Sequence, residues 1–191
     1  MQIHPENPAK SLPTVLILAS GRGERFLASG GTSHKLQAML GQKTVLQHTL
    51  DAVIASGLPW HLEDEEHPGM GDSIAAAVSK TADAAGWLIL PADLPLIHPR
   101  TLLQVADALQ TQPVVLPCYL GAGEEQRGHP VGFGAVCRPD LLKLRGNKGA
   151  AGVIASYDAM KLIVNDIGVV TDIDTVDDLA QARLLLKNQA A

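Results

Sequence analysis

The sequence predicts an α/β fold built on a mostly parallel sheet, and three observations predict it. Short apolar runs alternate with stretches of helical period along the chain, the pattern of strands and helices packed in layers. Two of the runs, residues 15–19 and 87–90, are continuously apolar, as strands covered on both faces are. Each empties into a loop with chemical character. Ser20-Gly21-Arg22-Gly23-Glu24-Arg25 follows the first, and Pro91-Ala92-Asp93-Leu94-Pro95 ends the second. In parallel sheets ligands sit beyond the carboxyl ends of the strands, so both loops belong to one functional edge.

The elements follow in order. Residues 14–19 read as a buried strand. Residues 44–56 carry Val45, Leu46, Leu50, Val53 and Ile54 at helical spacing, and Gly57 ends that helix. Residues 60–62 form a short strand. Residues 72–84 form a helix on Ile74, Val78 and a run of alanines. Residues 87–90 are a strand, and 99–109 a helix with Pro99 at its start. Strands at 114–117 and 131–136 are followed by short helices at 139–144 and 149–157. Strands at 162–164 and 169–173 precede a last helix, 175–187, with Thr175 as N-cap and Asp177 and Asp178 in its first turn.

The 191 residues suit one domain with a sizeable core. That domain is taken as 14–191, preceded by a loose lead-in, 1–13, that has three prolines and no apolar segment of a signal peptide. Apolar residues make up 46% of the chain and aromatic ones 3%, so the core is built from Ala, Leu, Val and Ile. The formal charge of −5, with no basic block, excludes nucleic acid as a partner. No apolar run reaches the roughly 18 residues of a membrane span. Cys118 and Cys137 form no CxxC pair and read as buried thiols in a reducing cytoplasm.

The glycine-rich loop is the first chemical signal. Glycines let backbone N–H groups approach phosphate oxygens, and arginine neutralises their charge. It lacks the Gly-Lys-Ser/Thr of a Walker A loop, and Phe26 stands where a dinucleotide fingerprint has its third glycine. An ordinary turn after a strand has the same outline. Lys35 follows an insert, 27–34, and reads either as a surface lysine or as a cation folded back over a triphosphate. Asp93, at a strand end between prolines, suits Mg²⁺, which takes one or two carboxylates beside phosphate oxygens. Its other reading is a turn or cap aspartate. Asp174 offers a second carboxylate, although aspartate before a helix is a common cap. Gly69-Met70-Gly71-Asp72-Ser73 opens a helix, where anions and polar groups bind. Asp72 or Ser73 also serves there as a simple cap. Arg127-Gly128-His129-Pro130 brings a cation and an imidazole to a turn. The remaining histidines show no tight metal spacing.

Together these residues resemble the MobA-like NTP transferase family, closest to its molybdenum cofactor cytidylyltransferase branch. The resemblance runs from Leu16 to about Leu185. It rests on Leu18-Ala19-Ser20-Gly21-Arg22-Gly23-Glu24-Arg25-Phe26 with Lys35-Leu36, on Gly69-Met70-Gly71-Asp72-Ser73 and on Leu90-Pro91-Ala92-Asp93-Leu94-Pro95. Gly128-His129-Pro130-Val131, Gly146-Asn147-Lys148-Gly149-Ala150 and Asp172-Ile173-Asp174-Thr175 continue it. It implies a Rossmann-like three-layer nucleotidyltransferase fold. It also implies a reaction in which an acceptor phosphate attacks the α-phosphorus of an NTP and pyrophosphate leaves. By the family pattern Ala19, Ser20 and Gly21 touch base and ribose, and Ser73 lies near the nucleotide. Gly23, Arg25 and Lys35 hold the triphosphate, Asp93 and Asp174 hold Mg²⁺, and His129 faces the acceptor. Arg25, Lys35 and Asp93 are the catalytic set.

Three departures matter. Ala19-Ser20-Gly21 replaces the family's Ala-Ala-Gly or Ala-Gly-Gly, so CTP is favoured with GTP as the other candidate. The insert 27–34 lengthens the link to Lys35. About fourteen residues separate Ser56 from Gly71, where the family has room for a further strand and helix, so a shortened sheet is expected. The resulting expectation is a cytoplasmic, Mg²⁺-dependent nucleotidyltransferase whose acceptor is molybdopterin or its molybdenum form, with a molybdoenzyme as a further partner. The rivals are transfer to a sugar phosphate or other small phosphate, and a non-catalytic carrier of nucleotide or cofactor.

Overall fold

The computed structural model describes residues 12–121 and 123–189, so the expected lead-in lies outside the described residues except for Leu12 and Pro13. Strand β1 (Thr14–Leu18) is the inner strand on which the functional edge is built. It pairs in parallel with β4 (Trp60–Glu63) on one side, Val15 opposite Trp60, and with β5 (Gly86–Pro91) on the other, Val15 opposite Leu88. Strand β8 (Val131–Gly134) is antiparallel to β5 and to β6 (Val114–Gly121). The second half of β6 turns back into β7 (Glu124–Arg127), and its other edge pairs in parallel with β9 (Ala159–Val164). The order is β4-β1-β5-β8-β6, with β7 and β9 flanking β6. Strands β4, β1, β5, β6 and β9 run one way, as a mostly parallel sheet requires, and β8 and β7 run against them. Beyond β4 no further strand pairs among the described residues, and the chain passes directly into the next helix.

The alternating sides of the inner strands build two cores. Val15, Ile17, Leu88 and Leu90 pack on one face against α2 (Val45–Ser56), α4 (Pro99–Ala108) and α7 (Val176–Gln189), through Val53, Leu102 and Ala182 among others. Leu16, Trp87 and Ile89 pack on the other against α3 (Met70–Lys80), α5 (Arg138–Leu141) and α6 (Ala151–Ala155), through Ile74, Leu141 and Val153. The product is the expected three-layer α/β/α arrangement. Each fully buried Leu or Ile contributes about 1.5–3 kcal/mol relative to exposure. Helix α2 starts in a capping box of Thr44 and Gln47 and stops at Gly57, whose φ of 70° is left-handed.

The structure departs from the sequence reading in several places. The glycine-rich loop contains a five-residue helix, α1 (Glu24–Ala28), too short to show a period. A two-stranded hairpin, β2 (Met39–Leu40) and β3 (Lys43–Thr44), precedes α2, and β7 has no apolar alternation to reveal it. The strand expected at 169–173 does not form. Residues Ile167–Val170 are a 3₁₀ turn, because Asp166 accepts from Gly168 N–H at 2.9 Å and bends the chain locally. The same carboxylate takes His98 N–H at 3.0 Å and Thr101 Oγ1 at 2.6 Å, tying this turn to the start of α4. Between β7 and β8 the strand is interrupted at Gly128, whose N–H donates to Pro117 O at 2.8 Å. A Cβ at Gly128 would run into the carbonyl oxygen of Val169, so only glycine permits this approach.

Candidate functional site

A cavity of about 940 Å³ opens at the carboxyl ends of β1 and β5. Ala19, Ser20, Gly21, Gly23, Arg25, Lys35, Ser73, Asp93, His129 and Asp174, the residues singled out from the sequence, all line it. Topology brings them together. The glycine-rich loop leaves β1, Asp93 leaves β5, Ser73 lies in the first turns of α3, and His129 precedes β8.

Lys35 returns to this edge because the insert folds compactly. Gly31 N–H donates to Phe26 O at 3.0 Å, and the buried Phe26 ring packs on Gly31. His34 Nε2 then meets Gly21 O at 2.8 Å. A 3₁₀ turn, Lys35–Gln37, places the ammonium between two carboxylates, 2.5 Å from Asp93 Oδ2 and 2.8 Å from Asp174 Oδ1. The lysine side chain is 12% exposed, Asp93 14% and Asp174 18%. Burial is the largest influence on Lys35 and disfavours its charge. The combined attraction of Asp93 and Asp174 outweighs it and holds the pKa above the ordinary lysine value. Arg25 Nη1 reaches Asp174 Oδ2 at 2.6 Å from a largely exposed position.

Asp93 caps no helix. Its Oδ1 is buried and has no hydrogen-bond partner among the described residues. Its main chain is pinned on both sides, with Ala92 N–H on Leu18 O at 3.0 Å and Ile173 N–H on Asp93 O at 3.0 Å. Thr49 Oγ1, buried in α2, donates to Ala92 O at 3.0 Å. Asp174 is not the cap of α7 either. Asp178 Oδ2 takes the N–H of Asp174 at 3.1 Å and of Thr175 at 2.7 Å, while Thr175 Oγ1 takes Asp178 N–H at 3.2 Å. Thr175 and Asp178 cap the helix reciprocally, as expected for Thr175, and the Asp174 carboxylate, relieved of capping, faces the cavity on Lys35 and Arg25. In α3 neither Asp72 nor Ser73 caps. Gly69 is the N-cap, Asp72 Oδ2 accepts from Gly146 N–H at 2.8 Å, and Ser73 Oγ accepts from Ser20 Oγ at 3.1 Å.

At the opposite end His129 N–H is held by Val169 O at 2.9 Å, and its Nδ1 is buried without a partner among the described residues. Burial pushes the imidazole below the usual histidine value, and a backbone contact with Ile89 and the charges of Asp93 and Asp172 oppose this only in part. Asp172 also lines the cavity. Its burial, reinforced by Asp174, Asp93 and Asp178 and eased by its own backbone, raises its pKa. Sequence reasoning missed Asp172, His34 and a polar cluster around the fully buried Glu63. The spacing of His61 and Glu63, two apart on one strand, was its available signal.

Comparison with known proteins bears on this arrangement. A sequence model of the MobA-like NTP transferase domain matches residues 51–160. The chain belongs to the MobA-like NTP transferase family. Among curated proteins it is 26% identical over 160 residues to the bifunctional protein GlmU of Coxiella burnetii (strain CbuG_Q212). That match covers 72% of this chain and 34% of GlmU, so the chain spans about a third of the length of the curated relatives it matches. Rv0371c from Mycobacterium tuberculosis H37Rv is similar in structure, with a TM-score of 0.76 and 22% identity, covering 92% of this chain and 99% of that one. Rv0371c is also known as a complex with manganese (TM-score 0.70, 22% identity, 91% and 99% covered). Molybdopterin-guanine dinucleotide biosynthesis protein A from Archaeoglobus fulgidus aligns with a TM-score of 0.63 at 15% identity, over 92% of this chain and 99% of that one. At these identities the structures establish a shared α/β fold.

Proposed function

We propose that this chain is a divalent-metal-dependent nucleotidyltransferase, acting as a single domain over 14–191, that moves NMP from an NTP to a phosphate acceptor and releases pyrophosphate. One observation carries the reading. A single cavity joins a glycine-rich loop, the cations Arg25 and Lys35, and the carboxylates Asp93 and Asp174. The residues fit a hard cation, because Asp93 Oδ1 is a buried carboxylate oxygen with no other partner among the described residues. Asp93 and Asp174 would hold Mg²⁺. The metal supplies charge neutralisation on the phosphate oxygens when bound.

The chain's own groups do the rest. Backbone N–H groups of the glycine-rich loop, including Gly23, receive phosphate oxygens, and Gly23 has the left-handed φ of 65° that such a turn needs. Arg25 and Lys35 exchange carboxylates for the triphosphate and steady the charge that develops as an acceptor oxygen bonds to the α-phosphorus and the bond to the leaving pyrophosphate oxygen breaks. Ala19, Ser20, Gly21 and Ser73 line the base and ribose end. His129 faces the acceptor with a neutral imidazole, placed beside Arg127 and Gly128. CTP is the favoured donor over GTP. Molybdopterin or its molybdenum form is the favoured acceptor, supported by the fold shared with the Archaeoglobus protein, and a molybdoenzyme would receive the product. No helix among the described residues is long and apolar enough to cross a membrane, and the reading places the reaction in the cytoplasm.

The test is pyrophosphate release from CTP and molybdopterin, with and without Mg²⁺, for the wild type and Asp93→Ala. Metal-dependent release that Asp93→Ala abolishes while the fold survives supports the reading. Delivery of bound cofactor without turnover, surviving in Asp93→Ala, would instead make the chain a carrier.

A further inference from the structure

The edge strand β4 ends in a buried polar cluster that the reaction above does not use. Glu63 is fully buried, and both its oxygens are saturated. Oε1 accepts from His67 Nε2 at 3.1 Å and from Lys80 Nζ at 3.1 Å. Oε2 accepts from His61 Nε2 at 3.2 Å and from Lys80 at 3.0 Å. Burial is the largest influence on this carboxyl and favours its neutral form, yet the hydrogen bonds from His67, Lys80 and His61 outweigh it and hold the pKa below the usual carboxylate value. Glu63, Glu65 and His67 can bring ligand atoms within 4.8 Å of one another, as a metal site would. Lys80 already bridges Glu63 and Glu65, the latter at 2.9 Å, so the cluster is closed around its own cation. Asp93 differs, because one of its oxygens remains unpartnered.

What the cluster does is fix His67. An ionised carboxylate only accepts, so His67 Nε2 must carry the proton, and a neutral ring then presents a lone pair at Nδ1. His67 lines the cavity, 15% exposed, and Nδ1 has no hydrogen-bond partner among the described residues. The strand order says which part of the cavity this is. Along β4-β1-β5-β8 the successive ends carry His67, the glycine-rich loop, Asp93 and His129. With phosphates and metal at the middle two and the acceptor at His129, the base is left the β4 end. His67 lines the cavity together with Ser20 and Ser73, whose hydroxyls are joined at 3.1 Å, and Ala19 N–H is tied to Glu63 O at 2.8 Å.

Resting on the nucleotidyltransferase reading, we propose that His67, positioned by Glu63, is a specificity-determining residue for the nucleobase, its Nδ1 selecting a base that offers an exocyclic amino group. The 4-amino group of cytosine donates to such an acceptor. The 4-carbonyl of uracil in the same place sets lone pair against lone pair and leaves both unpaired, which costs more than a missing contact.

The experiment measures dissociation constants for CTP, UTP and inorganic tripolyphosphate, each with Mg²⁺, on the full chain. The wild type should bind CTP about tenfold more tightly than UTP, the scale set by one unmatched buried polar group. His67→Leu should bring the two within about twofold by weakening CTP, with tripolyphosphate unchanged. Glu63→Gln, whose amide can donate as well as accept, should narrow the ratio while His67 is intact. A wild-type ratio near one, or a ratio that survives His67→Leu, overturns the assignment of His67 while triphosphate binding stands. If no NTP and no tripolyphosphate binds at all, the nucleotidyltransferase reading itself falls.

Discussion

Replacing Lys35 with methionine keeps the length of the side chain and removes the ammonium that stands 2.5 Å from Asp93 and 2.8 Å from Asp174. All three side chains are less than one-fifth exposed, so the two carboxylates would face each other with little solvent to screen them. Removing one partner of a buried ion pair costs about 3–5 kcal/mol, and partial exposure with Arg25 still on Asp174 brings this to about 2–3 kcal/mol. At about 2–4 °C per kcal/mol for a domain of this size, Tm should fall by roughly 4–12 °C. The folded Lys35 pKa is raised, so its contribution is fully present below the ordinary lysine value of 10.5 and lost only as pH rises through the higher folded value. The gap between wild type and variant should therefore be flat between about pH 7 and 9. Lys35→Met also uncovers both carboxylates for a cation. Mn²⁺ or Mg²⁺ alone should raise the Tm of the variant more than that of the wild type, with saturation a hundredfold above Kd adding about 2.7 kcal/mol. Differential scanning fluorimetry with a metal titration reads both effects. A variant as stable as the wild type, or one that metal does not rescue, would refute the idea that Lys35 holds a metal site shut in the free protein.

Thr49→Val removes the buried hydroxyl that donates to Ala92 O, and should lower stability by about 1–2 kcal/mol while reducing turnover through a looser Asp93, read by chemical denaturation and by pyrophosphate release. Asp178→Ala strips the reciprocal cap of α7, costing about 1 kcal/mol, and frees the backbone of Asp174, so metal affinity should fall although no proposed ligand has changed. Glu63→Gln strands the imidazoles and ammonium around it and should cost about 1–3 kcal/mol at neutral pH. The Glu63 pKa is lowered on folding, so this stabilisation is present above the unfolded carboxylate value of 4.5 and lost as pH falls through the folded one. Denaturation curves of wild type and Glu63→Gln should therefore draw together as the pH falls below the ordinary carboxylate value of 4.5 and through the lower folded one.

The parts legible in the sequence were those whose signal is local. The inner strands β1 and β5 showed as unbroken apolar runs because both faces are covered, and α2 showed through its period and its closing glycine. Elements set by single side-chain contacts stayed hidden. The 3₁₀ turn at Ile167–Val170 has the composition of a strand, and only Asp166, buried against His98 and Thr101 of a distant segment, turns it. Helix α1 and strand β7 are too short, and β7 too polar, to leave a period. The cluster around Glu63 needs Lys80 from the next helix to complete it.

The carboxylate pair shows how the two levels meet. From sequence, Asp174 had the residue type and position of a helix cap, and a cap would have spent its oxygens on backbone N–H groups. The fold assigns that work to Asp178, one turn further on, which accepts from Asp174 N–H and Thr175 N–H and so orients the very residue it relieves. Asp93 is relieved in a different way. Its main chain is held by Leu18 through Ala92 and by Ile173, so its side chain carries no structural duty and one oxygen remains unbonded among the described residues. Two carboxylates free of local work, fixed through their backbones and facing one buried ammonium, form an arrangement that a packing role alone does not require. Lys35, with Arg25 on Asp174, balances them in the free protein, and in the proposed reaction the same lysine would turn its ammonium from the carboxylates to an incoming triphosphate. Ligand and metal are then expected to bind together, because each relieves the charge that the other's arrival exposes.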